Sequence, residues 1–128
     1  MTFSVHHIAV LVSDLARAER FYVDVLGCEV GRRWDDDRGE PRSVWVKLGA
    51  GAFLALELAS SPMATRLAGA PGWHCVALGI EPSERNAWQA RLQGHGVLIE
   101  RETAFTLFFR DPDANLIGLT HWPVALAT

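Results

Sequence analysis

The chain has 128 residues, a hydrophobic fraction of 49%, a formal net charge of −3 and two cysteines. That length supports one domain with its own core, and that composition excludes a disordered chain. The lack of a basic cluster argues against nucleic acid and anionic membrane as partners, and no apolar run approaches the ~20 residues of a membrane span.

The first segment, VHHIAVLV, is short and rich in β-branched residues, so it reads as a buried strand. Asp14 follows as a helix cap, because its carboxylate can accept the free N–H groups of a first turn. In the helix LARAERFYVDVLG, Leu15, Ala18, Phe21, Tyr22, Val25 and Leu26 make one apolar stripe, and Gly27 supplies the left-handed stop. Three strands are expected next, in CEVGRRW, SVWVKL and AFLALELA. Alternation in the last puts Leu54, Leu56 and Leu58 on one face, and Phe53, Ala55 and Glu57 on the other. In the first strand His7, Ala9 and Leu11 share a face, and His6 points away from His7.

After the linker ASSPMATRLAGAPG the grammar returns. HCVALGI reads as a strand, Pro82 opens a helix where its missing N–H costs little, and Gly94 and Gly96 end that helix. GVLIER, AFTLFFR and NLIGLTHW read as strands, with DPDAN as a turn between the last two. A shift of 67 residues, with no gap, places His7 on His74, Asp14 on Glu81, Phe21 on Trp88, Gly27 on Gly94 and Val30 on Val97. The expected architecture is therefore α+β: two βαβββ modules forming a curved mixed sheet with a cup-shaped site. Module one covers about 1–60, the linker about 60–72 and module two about 73–123. Helices are expected near 14–26 and 82–93. No basic start or cleavage site marks a signal peptide, and Cys28 and Cys75 form no metal or redox spacing, so a reducing cytoplasmic setting is expected.

HHIAVLVSDLARAERFYVDVLGCEV, with FFRDPDANLIGLTHW near the end, resembles the vicinal oxygen chelate superfamily. That group includes glyoxalase I, fosfomycin-resistance transferases, methylmalonyl-CoA epimerase, extradiol dioxygenases and bleomycin-resistance proteins. One fold there hosts several chemistries. The resemblance implies metal ligands at the first and fourth strands of each module. Carried over, these are His7 and Glu57 in module one and His74 in module two. The fourth point, normally the Glu of a DPDGN-x-x-E-L pattern, is Gly118 here. The arginine that many glyoxalases carry before V-x-D-L is Leu11, which weakens the case for glutathione recognition.

Two histidines and a carboxylate suit a divalent ion: Fe, Zn, Mn, Ni or Co. Such a metal acts as a Lewis acid on vicinal substrate oxygens, or activates a nucleophile or dioxygen, and Glu57 is the candidate base. His95 and His121 read as surface or packing residues. Ala9, Leu11, Phe53, Ala55, Val76, Leu78 and Phe108 are expected to line an apolar cup. Leu11, Trp45, Phe53, Phe108 and Gly118 are the candidate substrate contacts. The leading expectation is a metal-dependent lyase, isomerase or dioxygenase acting on a small molecule. The alternative is a metal-free small-molecule-binding protein of the bleomycin-resistance kind. Single-pair members commonly pair through an interface, so a homodimer is expected as well.

Overall fold

The computed structural model describes residues 1–61 and 69–123. Most of the expected linker therefore lies outside the described residues. The chain divides into two compact units, Met1–Gly69 and Ala70–Thr128.

In the first unit the strands are β1 (His7–Val12), β2 (Val30–Asp35), β3 (Pro41–Lys47) and β4 (Phe53–Leu58). Their order is β1-β4-β3-β2, with β1 parallel to β4 and the other pairs antiparallel. Helix α1 (Leu15–Arg20) runs directly into a π-helical turn, Phe21–Val25. Asp14 caps it as its short carboxylate predicts: Oδ1 accepts the Arg17 N–H at 3.0 Å. The apolar stripe of this helix packs on β3 and β4, and Val12, Tyr22, Val44, Val46, Leu54 and Leu56 are all buried.

The second unit repeats the plan with β5 (Val76–Gly79), β6 (Arg101–Glu102), β7 (Thr106–Arg110) and β8 (Leu116–Thr120), in the order β5-β8-β7-β6. A 3-10 turn, Pro82–Glu84, leads into α2 (Arg85–Gly94). The N–H of Glu81 is held by the Glu84 carboxylate at 2.8 Å.

The expectation of one curved mixed sheet enclosing a cup is overturned. A single sheet needs ladder bonds between the modules. Every ladder among the described residues instead joins strands of the same module, giving two separate, open, four-stranded mixed sheets.

The ungapped shift of 67 also fails in detail. Both helices end on a left-handed glycine, but these glycines are Gly27 (φ 73°) and Gly96 (φ 74°), not Gly27 and Gly94. Cys28 N–H reaches the Tyr22 carbonyl, and Val97 N–H reaches the Leu92 carbonyl, each at 2.9 Å. That bond keeps Val97 tied to the helix end. It is one reason β6 is only two residues long where GVLIER predicts a full strand.

The DPDAN turn forms as expected, with Ala114 in left-handed backbone (φ 64°). A side chain in that region costs about 1–2 kcal/mol, and glycine returns about 0.5–1 kcal/mol of that as chain entropy. Ala114→Gly should therefore raise stability by about 0.5–1 kcal/mol, read as an upward shift of the urea midpoint.

Candidate functional site

Alternation along the first sheet gives it two unlike faces. Leu54 and Leu56 of β4 and Val44 and Val46 of β3 turn to the helix and are buried. The opposite face carries His7, Ala9 and Leu11 from β1, Phe53, Ala55 and Glu57 from β4, and Ser43 and Trp45 from β3. The β2 partners of the last two, Trp34 and Arg32, lie beside them. Glu57 thus stands opposite the leucine face, half-buried.

A row of rings crosses all four strands of this face. His7 stacks on Phe53 with centroids 4.8 Å apart and planes within 7°. Phe53 stacks on Trp45 at 4.3 Å and 23°. Trp45 meets Trp34 at 5.2 Å with the planes tilted by 58°. The Arg32 guanidinium carbon closes the row, 3.6 Å from the Trp34 ring centroid. His6 does not point away: its Nδ1 lies 2.8 Å from His7 Nδ1, and its ring meets Phe53 edge-on. It precedes β1, so strand alternation does not govern it.

Three donors on this face have no partner among the described residues. Trp34 Nε1, Trp45 Nε1 and Ser43 Oγ are sealed from solvent and make no hydrogen bond to a described residue. Ser43 is 1% exposed. An unsatisfied buried donor costs about 1–3 kcal/mol, so three on one face call for a partner chemistry. Ser43 pairs with Glu57 on one side and Trp34 on the other. Sequence reasoning points to Trp45, Phe53 and Glu57, takes Trp34 for a core residue and does not single out Ser43. Period two from Trp45 leads directly to Ser43. Trp34 had no such signal, because register shifts on both sides of it break the alternation of β2.

The metal-ligand expectation meets three observations. The ladder sets His7 against Phe53 and Glu57 against Leu11, so ~13 Å of strand separates the two along β1 and β4. His74 is exposed and lies outside β5, which starts at Val76. Within β5, Ala77 shares the face of its partner Gly118, while Val76 and Leu78 share that of the buried Ile117 and Leu119. Among the described residues no group of three or more His, Cys, Asp or Glu side chains is placed to hold a metal ion.

Gly118 does not face open space. A Cβ at Gly118 would lie 3.1 Å from Thr106 Cγ2 and 3.3 Å from Phe108 Cε1. Phe108 is the cross-strand partner of Gly118, and Arg101 covers its ring at 4.5 Å. A side chain there would begin in tight contact with an aromatic ring and a methyl group. His121 is a packing residue, between the Arg85 guanidinium and the Phe105 ring. His95 is exposed at the end of α2. Burial pushes the Cys28 thiol up, and a hydrogen bond from Arg110 holds Glu100 down.

No helix among the described residues is long and apolar enough to cross a membrane. Solved structures share the fold. The fosfomycin resistance protein FosX of Listeria monocytogenes is 20% identical, with a TM-score of 0.76 over 97% of this chain and 94% of its own. A lactoylglutathione lyase of Agrobacterium tumefaciens is 22% identical, with a TM-score of 0.72 over 94% and 97%. A glyoxalase/dioxygenase of Nostoc punctiforme is 19% identical, with a TM-score of 0.76 over 94% and 92%. A comparison with curated proteins finds no match. The profile of one family spans residues 4–119, nearly the whole chain and both modules. The chain belongs to the Glyoxalase/Bleomycin resistance protein/Dioxygenase superfamily.

Proposed function

We propose that this chain is a small-molecule-binding member of its superfamily that works without the family's four-ligand metal centre. The observation that carries the reading is Gly118. A Cβ there would press on Thr106 and Phe108, which must give by a few tenths of an ångström, so a longer side chain meets packing where the resemblance implies a fourth ligand. The remaining donor set does not fit a metal centre either, since His7 and Glu57 stand four residues apart along paired strands and His7 is stacked on Phe53. The polar groups of the first sheet, by contrast, are those of a ligand-recognition surface. A few unpaired donors and one carboxylate stand among aromatic rings, the usual mixture of a small-molecule site.

A metal-dependent lyase, isomerase or dioxygenase is the second reading. It is favoured by Glu57, a half-buried carboxylate on the same sheet face as His7. In that reading His7, Glu57 and His74 would hold a divalent ion, which would supply Lewis-acid chemistry, and Glu57 would handle the proton. Metal analysis of protein purified without an affinity tag separates the two. The binding protein is expected to carry far less than one equivalent of Fe, Zn, Mn, Ni or Co. One equivalent per chain, lost in Glu57→Ala, establishes the enzyme reading instead.

A further inference from the structure

The strand ladders carry a repetition that no single ungapped shift of the sequence aligns. In the first sheet one row crosses the strands as Arg32 on β2, Trp45 on β3, Ala55 on β4 and Ala9 on β1. In the second sheet the corresponding row is Arg101 on β6, Phe108 on β7, Gly118 on β8 and Ala77 on β5. Each row lies on the face opposite fully buried strand residues, Val46 and Leu56 in one sheet and Leu107 and Phe109 in the other. Each begins with an arginine beside an aromatic ring.

A backbone irregularity brings the first arginine there. Val30 pairs with Val46 and Arg32 with Trp45, so β2 carries one extra residue, Gly31, against β3. Without that bulge Arg32 would stand opposite Val44, on the helix side. Both arginines are exposed and both lie against a ring: the Arg32 guanidinium carbon is 3.6 Å from the Trp34 centroid, and that of Arg101 is 4.5 Å from the Phe108 centroid. Their charges are unspent. Arg33, the next residue on β2, turns to the other face and pairs with Glu19, while Lys47 pairs with Glu29. Glu100, beside Arg101 in the chain, is taken by the Arg110 guanidinium. Arg32 and Arg101 have no carboxylate partner among the described residues.

A guanidinium laid on a ring uses its face, and its N–H groups point outward in its own plane. That fork matches the two oxygens of a carboxylate. One guanidinium balances one negative charge, whereas a phosphate group near neutral pH carries more than one. Trp45 and Phe108, half-buried beside the arginines, offer an apolar surface to the body of the same molecule. We infer that each module carries, on the open face of its sheet, a subsite for the carboxylate of a small aryl acid, held by Arg32 in the first module and by Arg101 in the second. This assignment rests on the ligand-binding reading above and names its ligand class.

Benzoate is the probe. Benzamide keeps the ring and shape without the charge, and acetate keeps the charge without the ring. The 15N-labelled chain is titrated, and the arginine Nε–H and backbone amide resonances are followed, the side chains assigned with Arg32→Gln and Arg101→Gln. Benzoate is expected to move both Nε–H resonances and the amides of 31–34 and 101–102 saturably, and each control to bind at least about fivefold more weakly. Arg32→Gln should abolish the response of the first unit and keep that of the second, and Arg101→Gln the reverse. Arg33→Gln, one residue away on the opposite face, should leave both unchanged.

Benzamide or acetate binding as tightly as benzoate overturns the inference. So does a response that survives Arg32→Gln and Arg101→Gln together, that falls equally in Arg33→Gln, or that never appears up to about 50 mM benzoate. A response in one unit alone overturns the subsite of the other. The titration is repeated with EDTA. Metal in the purified protein together with benzoate binding that survives EDTA overturns the metal-free reading and leaves the subsites standing. Metal together with binding lost in EDTA overturns both. Metal-free protein that ignores benzoate overturns the subsites alone.

Discussion

Gly118→Glu is expected to lower the stability of the chain by about 2–4 kcal/mol, measured by urea unfolding. The reasoning starts from the buried strand β8. Gly118 lies between Ala77 and Phe108, and a Cβ there already presses on Thr106 and Phe108. One further methylene and a carboxylate must then pass the Phe108 ring, and overpacking of this kind costs about 1–3 kcal/mol. The carboxylate loses water as well, which adds to the cost unless a cation receives it. Replacing a strand glycine returns only about 0.5–1 kcal/mol of chain entropy. Gly118→Ala separates the contributions, since it adds the tight Cβ without the charge, and should change stability by less than about 1 kcal/mol.

The Phe108 ring is the stated cause, so Phe108→Ala should relieve the penalty. In a double-mutant cycle Gly118→Glu should cost at least about 1 kcal/mol less in the Phe108→Ala background. An additive cycle would show that Phe108 is not what resists the carboxylate. A neutral or stabilising Gly118→Glu that also gains a tightly held metal would restore the fourth-ligand role to this position.

Much of the fold is legible in the sequence because local signals agree with tertiary demands. The stripe Leu15, Ala18, Tyr22, Val25 has a helical period, and all four residues are buried. The alternation in AFLALELA is strict, and Leu54 and Leu56 are buried as it requires. Leu58 closes the strand and is 43% exposed, because it lies at the strand end where the helix no longer covers it. What the sequence hides is parity. In VALG both faces are apolar or small, so nothing local says which side turns inward. A one-residue slip exchanges the faces. The ungapped repeat places Val76 on Ala9 and so on the open face. The ladder puts Val76 with Ile117, on the buried one.

The same ambiguity explains the ligand expectations. His7 sits in a strand, where alternation is decisive, and its ring does join the open face. His74 sits in irregular chain before β5, where alternation has no authority. Gly118 stands in the sequence where the resemblance implies a Glu. The sequence could not tell that Phe108, ten residues earlier, crowds its Cβ position, because that contact depends on the β7–β8 register. The register in turn depends on the turn between those strands.

Asp111→Ala should therefore reach well beyond its own turn. Asp111 is 4% exposed, and its carboxylate organises DPDAN from within. Oδ1 accepts the N–H of Asp113 at 3.0 Å and of Asn115 at 2.8 Å, and Oδ2 accepts Asn115 Nδ2 at 2.8 Å. Asn115 is itself buried, so deleting the carboxylate strands its backbone N–H away from water. Hydrogen bonds to a charged group contribute about 1.5–3 kcal/mol, and leaving the donor buried adds its desolvation cost, so a loss of about 3–4 kcal/mol is expected. Asp111→Asn keeps one acceptor for the backbone donors but sets an amide against the Asn115 amide, and should cost about 1–2 kcal/mol. The turn fixes Phe109 against Ile117 and Phe108 against Gly118, so the damage should travel. Amide hydrogen exchange of Asp111→Ala should speed up along β7 and β8 but stay near the parent rates in β3 and β4, where no described ladder bond depends on this turn. Exchange that accelerates equally in both units would show that the turn holds the whole chain together. A loss under about 1 kcal/mol would show that the carboxylate is not what sets the register.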